Sequence, residues 1–472
     1  MPTDPRGLRT DAPLLDAWLR FHESPPTAYT IPGHKQRRDL VGDVIAGDVP
    51  LYAGLDTMKL THGVLAEAQR RAARAWGADR CWFSVGGSTH ANQSVALALG
   101  RPGDRVVVSR TSHRSTMLAL VLADLMPVWL PPSVDPMTGM PRPPSARILT
   151  DTLAAAPGSV AVLIVDPSYV GTTAVIGELA GAAHDHGIPL VVDAAWAAHY
   201  GWHPALPPHA LAAGADALVT SAHKALPAWS QAAMLLARGD RLDFDRLDAG
   251  VEATHTTSPS GAILASIDAA RALLEREGSV LLGDTLRLVR DLRDRLATIP
   301  GLVVLDGAGV DPLKVCLVLS GTGADGNAVE ADLLAAGMPV EMADRDTLVA
   351  MVTLADDAAG LDRLATTIET SLARPTGPPR PVLPAAAWQV APEQVLSPRE
   401  AFFADRVAVP LAASVGRVSA ELIAPYPPGI PVLAPGERIT EAVLEALAGA
   451  RAAGSRIAYS ADPTLTTLRV VR

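Results

Sequence analysis

Over residues 68–236, short β-branched runs alternate with amphipathic helical stretches. That alternation confines the chain to few architectures, and it predicts a mainly parallel sheet with helices on both faces. The clearest runs are Val106-Val107-Val108, residues 160–165, Leu190-Val191-Val192 and Leu218-Val219-Thr220. Ligands of open α/β sheets gather outside the carboxyl ends of the strands. Asp193, directly after Leu190-Val191-Val192, and Lys224, shortly after Thr220, are therefore expected on one edge.

The texture changes at roughly Ser279. Beyond it the pattern predicts a helix over 282–296, strands at 302–305 and 314–319, and a helix around 328–336, together a smaller α/β domain. The segment Arg374-Pro375-Thr376-Gly377-Pro378-Pro379-Arg380-Pro381 can be neither helix nor central strand, because proline lacks the amide hydrogen that both require. We expect an N-terminal arm over 1–45, a large domain over 46–280, a small α/β domain over 281–373, a proline-rich linker over 374–394 and a C-terminal domain over 395–472. A chain of 472 residues needs more than one core, and its 49% hydrophobic and 19% charged residues can supply them.

The net charge of −10, with no Lys/Arg block, argues against nucleic acid or an anionic membrane as partner and suits a small cationic substrate. Cys81 and Cys316 lie far apart in apolar surroundings and read as buried thiols, and no metal site is expected. The start Met1-Pro2-Thr3-Asp4-Pro5-Arg6 lacks an apolar signal core, and no apolar run is long enough to span a bilayer, so the expected location is cytoplasmic.

Ser221-Ala222-His223-Lys224 places a lysine where a strand ends. A neutral lysine amine forms Schiff bases with carbonyl cofactors, and low-dielectric walls ease the loss of its proton. Pyridoxal phosphate is the cofactor that most often uses such a lysine. It also asks for a carboxylate at its pyridinium nitrogen, a flat group over its ring and a cradle for its phosphate. Asp193 offers the carboxylate. His113, within Arg110-Thr111-Ser112-His113-Arg114-Ser115, can stack on the ring or act on the substrate. Gly86-Gly87-Ser88-Thr89-His90-Ala91-Asn92 precedes a predicted helix over 93–99, so its glycines, hydroxyls and unpaired N–H groups can seat an anion. His223 can reach the same phosphate.

In this order the pieces resemble the Orn/Lys/Arg decarboxylase family of fold-type-I pyridoxal-phosphate enzymes, in its short form. The resemblance begins with Ile31-Pro32-Gly33-His34-Lys35, Glu67-Ala68-Gln69, Trp76-Gly77-Ala78-Asp79 and Gly87-Ser88-Thr89. It continues through Ser112-His113-Arg114-Ser115, Asp166-Pro167-Ser168-Tyr169, Asp193, Ser221-Ala222-His223-Lys224 and Thr257-Ser258-Pro259-Ser260. It closes with Leu396-Ser397-Pro398-Arg399, Gly416-Arg417-Val418-Ser419-Ala420-Glu421 and Tyr426-Pro427-Pro428-Gly429-Ile430-Pro431.

The resemblance implies a fold-type-I large domain with a mainly parallel, seven-stranded-type sheet and a smaller α/β C-terminal domain. It implies Lys224 as the Schiff-base lysine, Asp193 as the partner of the pyridinium nitrogen and His113 as the stacking ring. Gly87, Ser88, Thr89, Trp196, Ser221 and His223 would line the cofactor. Thr257 and Ser258 would reach the phosphate of a neighbouring subunit, which makes a homodimer or higher homo-oligomer with shared active sites the expected assembly. About thirty residues precede Pro32. That is too few for the receiver-like domain of the long members, so a dimer or a small multiple of it is expected.

The implied reaction is α-decarboxylation of arginine, lysine or ornithine to the corresponding amine, chemistry of polyamine metabolism. A decarboxylation-dependent oxidase or an aminotransferase acting on a similar cationic amino acid is the first rival. A non-catalytic regulatory homologue is the second. Selecting a basic side chain calls for an acid at the far end of the pocket, for which Glu421 and Asp344 are the candidates, with Glu341 behind them. Two positions depart from the family pattern. Trp196 stands where many short members carry histidine, and Gly261 follows Ser260 where tyrosine is common, removing an aromatic wall.

Overall fold

The computed structural model describes residues 3–24, 29–49, 55, 63–135, 138–374, 377–381, 390–426, 429–452 and 454–472. Pro427 and Pro428 of the C-terminal motif lie outside the described residues, as do 1–2 and 25–28 of the expected arm and 375–376 and 382–389 of the expected linker. Compactness divides the chain into two units. One comprises Met1–Ala98 with Asp193–Leu281, the other Leu99–Val192 with Leu282–Arg472.

Seven strands make up the large sheet: β1 (Arg80–Ser84), β2 (Arg105–Ser109), β3 (Met126–Leu130), β4 (Val162–Val165), β5 (Leu190–Asp193), β6 (Ala217–Thr220) and β7 (Ala233–Ala237). Their order is β1-β7-β6-β5-β4-β2-β3. β2 runs parallel to both β3 and β4, while β7 is antiparallel to both β1 and β6. Every residue of β4, β5 and β6 is buried, which is why their sequences are continuous apolar runs rather than alternating ones. The connection from β6 to β7 holds only the short helix Ala222–Ala225 and a turn, so the chain returns antiparallel instead of crossing over.

In the first unit the helix Pro13–Glu23, opened by a proline at its first position, buries Leu14, Ala17, Leu19 and Phe21 and packs on the helix Val64–Ala75. Its entry is fixed by the buried Asp268, which accepts from the Leu14 amide at 2.8 Å and pairs with the buried Arg271. Both residues lie on a helix that differs from the sequence expectation: it runs 36 residues, Gly261–Leu296, rather than starting at 282. A single glycine such as Gly278 costs a helix about 1 kcal/mol and does not end one that packs well.

In the second unit, β8 (Val303–Val304), β9 (Lys314–Val318), β10 (Met342–Ala343) and β11 (Thr347–Met351) form an antiparallel sheet in the order β8-β9-β11-β10, accompanied by the helices Gly326–Ala335 and Ala358–Leu372. The C-terminal part pairs Arg406–Pro410 with Thr467–Val471 and Ala424–Tyr426 with Arg456–Ala458, around a core of Ile423, Leu433, Ile439, Val443, Leu447 and Leu468. Cys81 and Cys316 are free and buried, and burial raises both thiol pKa values, that of Cys316 to about 12. Among the described residues no helix is long and apolar enough to cross a membrane.

Candidate active site

The first unit gathers most of the residues singled out from the sequence. Asp193 ends β5 and is buried, its carboxylate accepting from Asn92 Nδ2 at 2.7 Å and from the Ala195 amide at 3.1 Å. The turn that follows is pinned to β6, since Ala194 N donates to Val219 O at 2.8 Å and Thr220 Oγ1 to Ala194 O at 2.9 Å. This turn presents Trp196, buried, with the Lys224 Nζ 3.9 Å from its ring centroid. An ammonium on an indole face is held by the ring quadrupole, which orients the lysine head group.

Lys224 is half-buried in the helix Ala222–Ala225, the single turn that β6 runs into. The preceding Ser221 is buried and its hydroxyl meets that of Ser88 at 2.8 Å. His223 Nδ1–H donates to Ala232 O at 2.9 Å. Burial holds the pKa of His223 below its ordinary value, against the Ala232 carbonyl, with the charge of Lys224 adding to the lowering.

Ser88 belongs to the first turn of the helix Gly87–Leu99, which begins six residues before the sequence expectation. Gly87 has φ +69°, a left-handed conformation that favours glycine, and its N–H donates to Gln231 O. A Cβ on Gly86 would meet His90 Cβ at 2.9 Å, so this position also needs glycine. Ser84 Oγ accepts from Gly86 N at 3.1 Å and meets His90 Nδ1 at 2.8 Å, fixing the turn from below. The first-turn N–H groups of Ser88 and Thr89 follow, where a helix has no carbonyl of its own to offer. Thr89 is exposed, as are Thr257 and Ser258, which lie in a loop beside Thr256.

His90, directly behind this turn, carries a pH prediction. Burial, with the neighbouring His255 adding, lowers its pKa from 6.5 to about 4. The fold therefore favours the neutral ring, and that contribution is complete above about pH 6.5 and is lost as pH falls towards 4. The urea midpoint should drop between pH 7 and pH 4.5, and the drop should be shallower in His90→Gln. A His90→Gln profile as steep as wild type would assign the loss to other groups.

Asn92 is a residue of the site to which its motif alone assigns no role. Ser88 and Asn92 stand four residues apart, hence on one helix face, and the first reaches Ser221 while the second reaches Asp193. That spacing was the available signal.

The second unit holds the remaining residues. His113 caps the helix Arg114–Ala123, Nδ1 accepting from the Ser115 amide at 3.2 Å, and its ring lies 6.2 Å from that of Tyr169. The three acids named for the substrate differ in how they are engaged. Both carboxylate oxygens of the buried Glu421 accept from backbone, Ala461 N at 2.8 Å and Arg469 N at 2.7 Å. Asp344 accepts from Asp346 N and Thr347 N, holding the turn between β10 and β11. Turning either towards a ligand would take the carboxylate away from two backbone amides that it now engages. Glu341, placed last among the three, is exposed and lines a cavity of about 110 Å³ with Asn327, Glu330, Tyr426 and Arg456.

The model of the Orn/Lys/Arg decarboxylase major domain matches residues 12–308, and that of the Orn/Lys/Arg decarboxylase C-terminal domain matches 381–457. An arginine decarboxylase of Halalkalibacterium halodurans is 32% identical, with 98% of this chain and 97% of that protein aligned. One of Bacillus subtilis is 30% identical over 98% of each. The solved lysine decarboxylase LdcF of Francisella novicida is 21% identical and shares the fold, with a TM-score of 0.82 over 98% of this chain and 81% of that one. The major-domain match alone spans well over half of the sequence, and together with the full-length relatives it shows that the chain belongs to the Orn/Lys/Arg decarboxylase family.

Proposed function

We propose that this chain is a pyridoxal-phosphate-dependent α-decarboxylase of a basic L-amino acid, with arginine as its first substrate. The observation that carries the reading is the Lys224 amine poised over Trp196 in the same unit as the buried Asp193 carboxylate and a glycine-opened helix N-terminus. The donor set fits the cofactor: one amine, one carboxylate fixed by two donors, and hydroxyls with first-turn N–H groups for a phosphate. Arginine is preferred over lysine and ornithine because the relatives that align along their whole length are arginine decarboxylases.

When bound, pyridoxal phosphate supplies an electron-poor ring that accepts the electron pair of the broken Cα–carboxylate bond. Lys224 would hold the cofactor through Nζ, the one amine of the set able to do so. Asp193, negatively charged and held in orientation by Asn92, keeps the ring nitrogen protonated. Ser88, Thr89 and Ser221 hold the phosphate, with Gly87 leaving room for it. His223 joins them only as a protonated ring, because its Nδ1–H is committed to Ala232 O, and an adjacent anion favours that proton. His113 would take the ring face, and because its Nδ1 accepts the cap, a neutral imidazole there carries its proton on Nε2. The exposed Thr257 and Ser258 suit the shared site of a homo-oligomer.

The test is a mass-spectrometric product screen over arginine, lysine and ornithine with added cofactor. Carbon dioxide with agmatine is the expected pair, at a kcat/KM at least about tenfold above the other two substrates, the scale on which a pocket separates close homologues. An aldehyde with ammonia or peroxide would overturn decarboxylation as the outcome.

A further inference from the structure

We propose that the C-terminal region acts as a positioning device for His113, through Arg110 and Arg114 on either side of it. The proposal rests on the reading of His113 as the residue over the cofactor ring. His113 is tied to the first turn of the helix Arg114–Ala123 by its own cap, so whatever fixes that turn fixes the imidazole. Residues from the C-terminal part of the chain hold the turn from both sides.

Arg110, three residues before His113, is buried. Its two terminal nitrogens donate to the carboxylate of Glu437, which is fully buried, and Nη2 also donates to Val432 O at 2.7 Å. Its guanidinium lies 4.7 Å from the Trp129 ring centroid. Glu437 accepts from Ala434 N at 2.7 Å as well, so the acid is anchored in its own turn. Arg114, directly after His113, stacks over Tyr459 at 4.8 Å. The Tyr459 loop is in turn held by Glu421 through the Ala461 amide. At the far end of the helix, Arg399 donates to Val121 O and Leu122 O.

A buried ion pair repays little of its desolvation cost, and apolar residues of like volume would serve stability as well. A bidentate guanidinium–carboxylate pair instead fixes direction, which an apolar contact does not. Placed next to a residue that must lie flat on a ring, direction is the useful property. Glu421 thereby gains a role other than substrate selection: it orders the platform under Arg114.

Tyr459→Asn is the decisive variant, because asparagine removes the ring yet tolerates the backbone φ of +68° found there. In cofactor-free protein the Ser115 amide should exchange faster. In loaded protein the visible circular dichroism of the bound cofactor should change, and kcat should fall about tenfold with KM within about twofold, the pattern of lost orientation rather than lost binding. In a His113→Ala background the same substitution should change kcat less than about twofold, because coupled residues are not additive. Glu437→Gln should show the same pattern more strongly. Unchanged exchange and dichroism in Tyr459→Asn, or equal losses of kcat in both backgrounds, would overturn the proposal. Failure of the underlying reading is separate: it would appear as no borohydride-trapped cofactor on Lys224 in the wild-type protein.

Discussion

Replacing Lys224 by alanine should abolish turnover, lowering kcat by at least about 10³-fold, the scale on which loss of a covalent group is felt. Borohydride treatment of the loaded wild-type protein should label the peptide carrying Ser221-Ala222-His223-Lys224, and the label should vanish in Lys224→Ala. The amine is half-buried, 3.9 Å from the Trp196 ring centroid, at the end of the turn that follows β6. Lys224→Arg separates two roles. Arginine keeps a cation over the indole but cannot be deprotonated, so it preserves the local packing and supplies no nucleophile. If the lysine were only a packed surface cation, Lys224→Arg would retain activity. We expect it to be as inactive as Lys224→Ala, and retained turnover in either variant would remove Lys224 from the chemistry.

What could be read in advance followed from local rules. β4, β5 and β6 were visible because strands buried on both faces need unbroken apolar runs, and Asp193 and Lys224 followed because polar side chains cluster just past such strands. What could not be read depended on partners distant in sequence. The hydrogen bond between Asn92 and Asp193 joins residues 101 apart, and that between Arg110 and Glu437 residues 327 apart. No periodicity reports such pairings. Glu421 shows the same limit from the other side. As a sequence position it is an acid in a motif, and only the backbone amides of Ala461 and Arg469 reveal that both its oxygens are engaged. The start of the long helix at Gly261 was hidden for a different reason: a mid-helix glycine weakens the pattern more than it weakens the packed helix.

Asp193→Asn provides the second large effect, because it sets a structural role against an electrostatic one. The carboxylate accepts from the Ala195 amide in the turn after β5, and asparagine caps such a turn nearly as well as aspartate. A residue that only shaped the turn would therefore survive the change with little loss. As the partner of the ring nitrogen, Asp193 supplies a negative charge that the amide lacks, and kcat should fall by about 10²–10³-fold, the usual scale for removing one preorganised electrostatic group. The fold should persist, and the absorption of the bound cofactor should shift because the ring nitrogen loses its proton. Asn92→Ala should be milder, about tenfold, since it leaves the charge in place and removes one of the two donors that aim it. Near-normal kcat in Asp193→Asn would show that the carboxylate serves the turn alone, and the electron sink would have to be sustained by some other group.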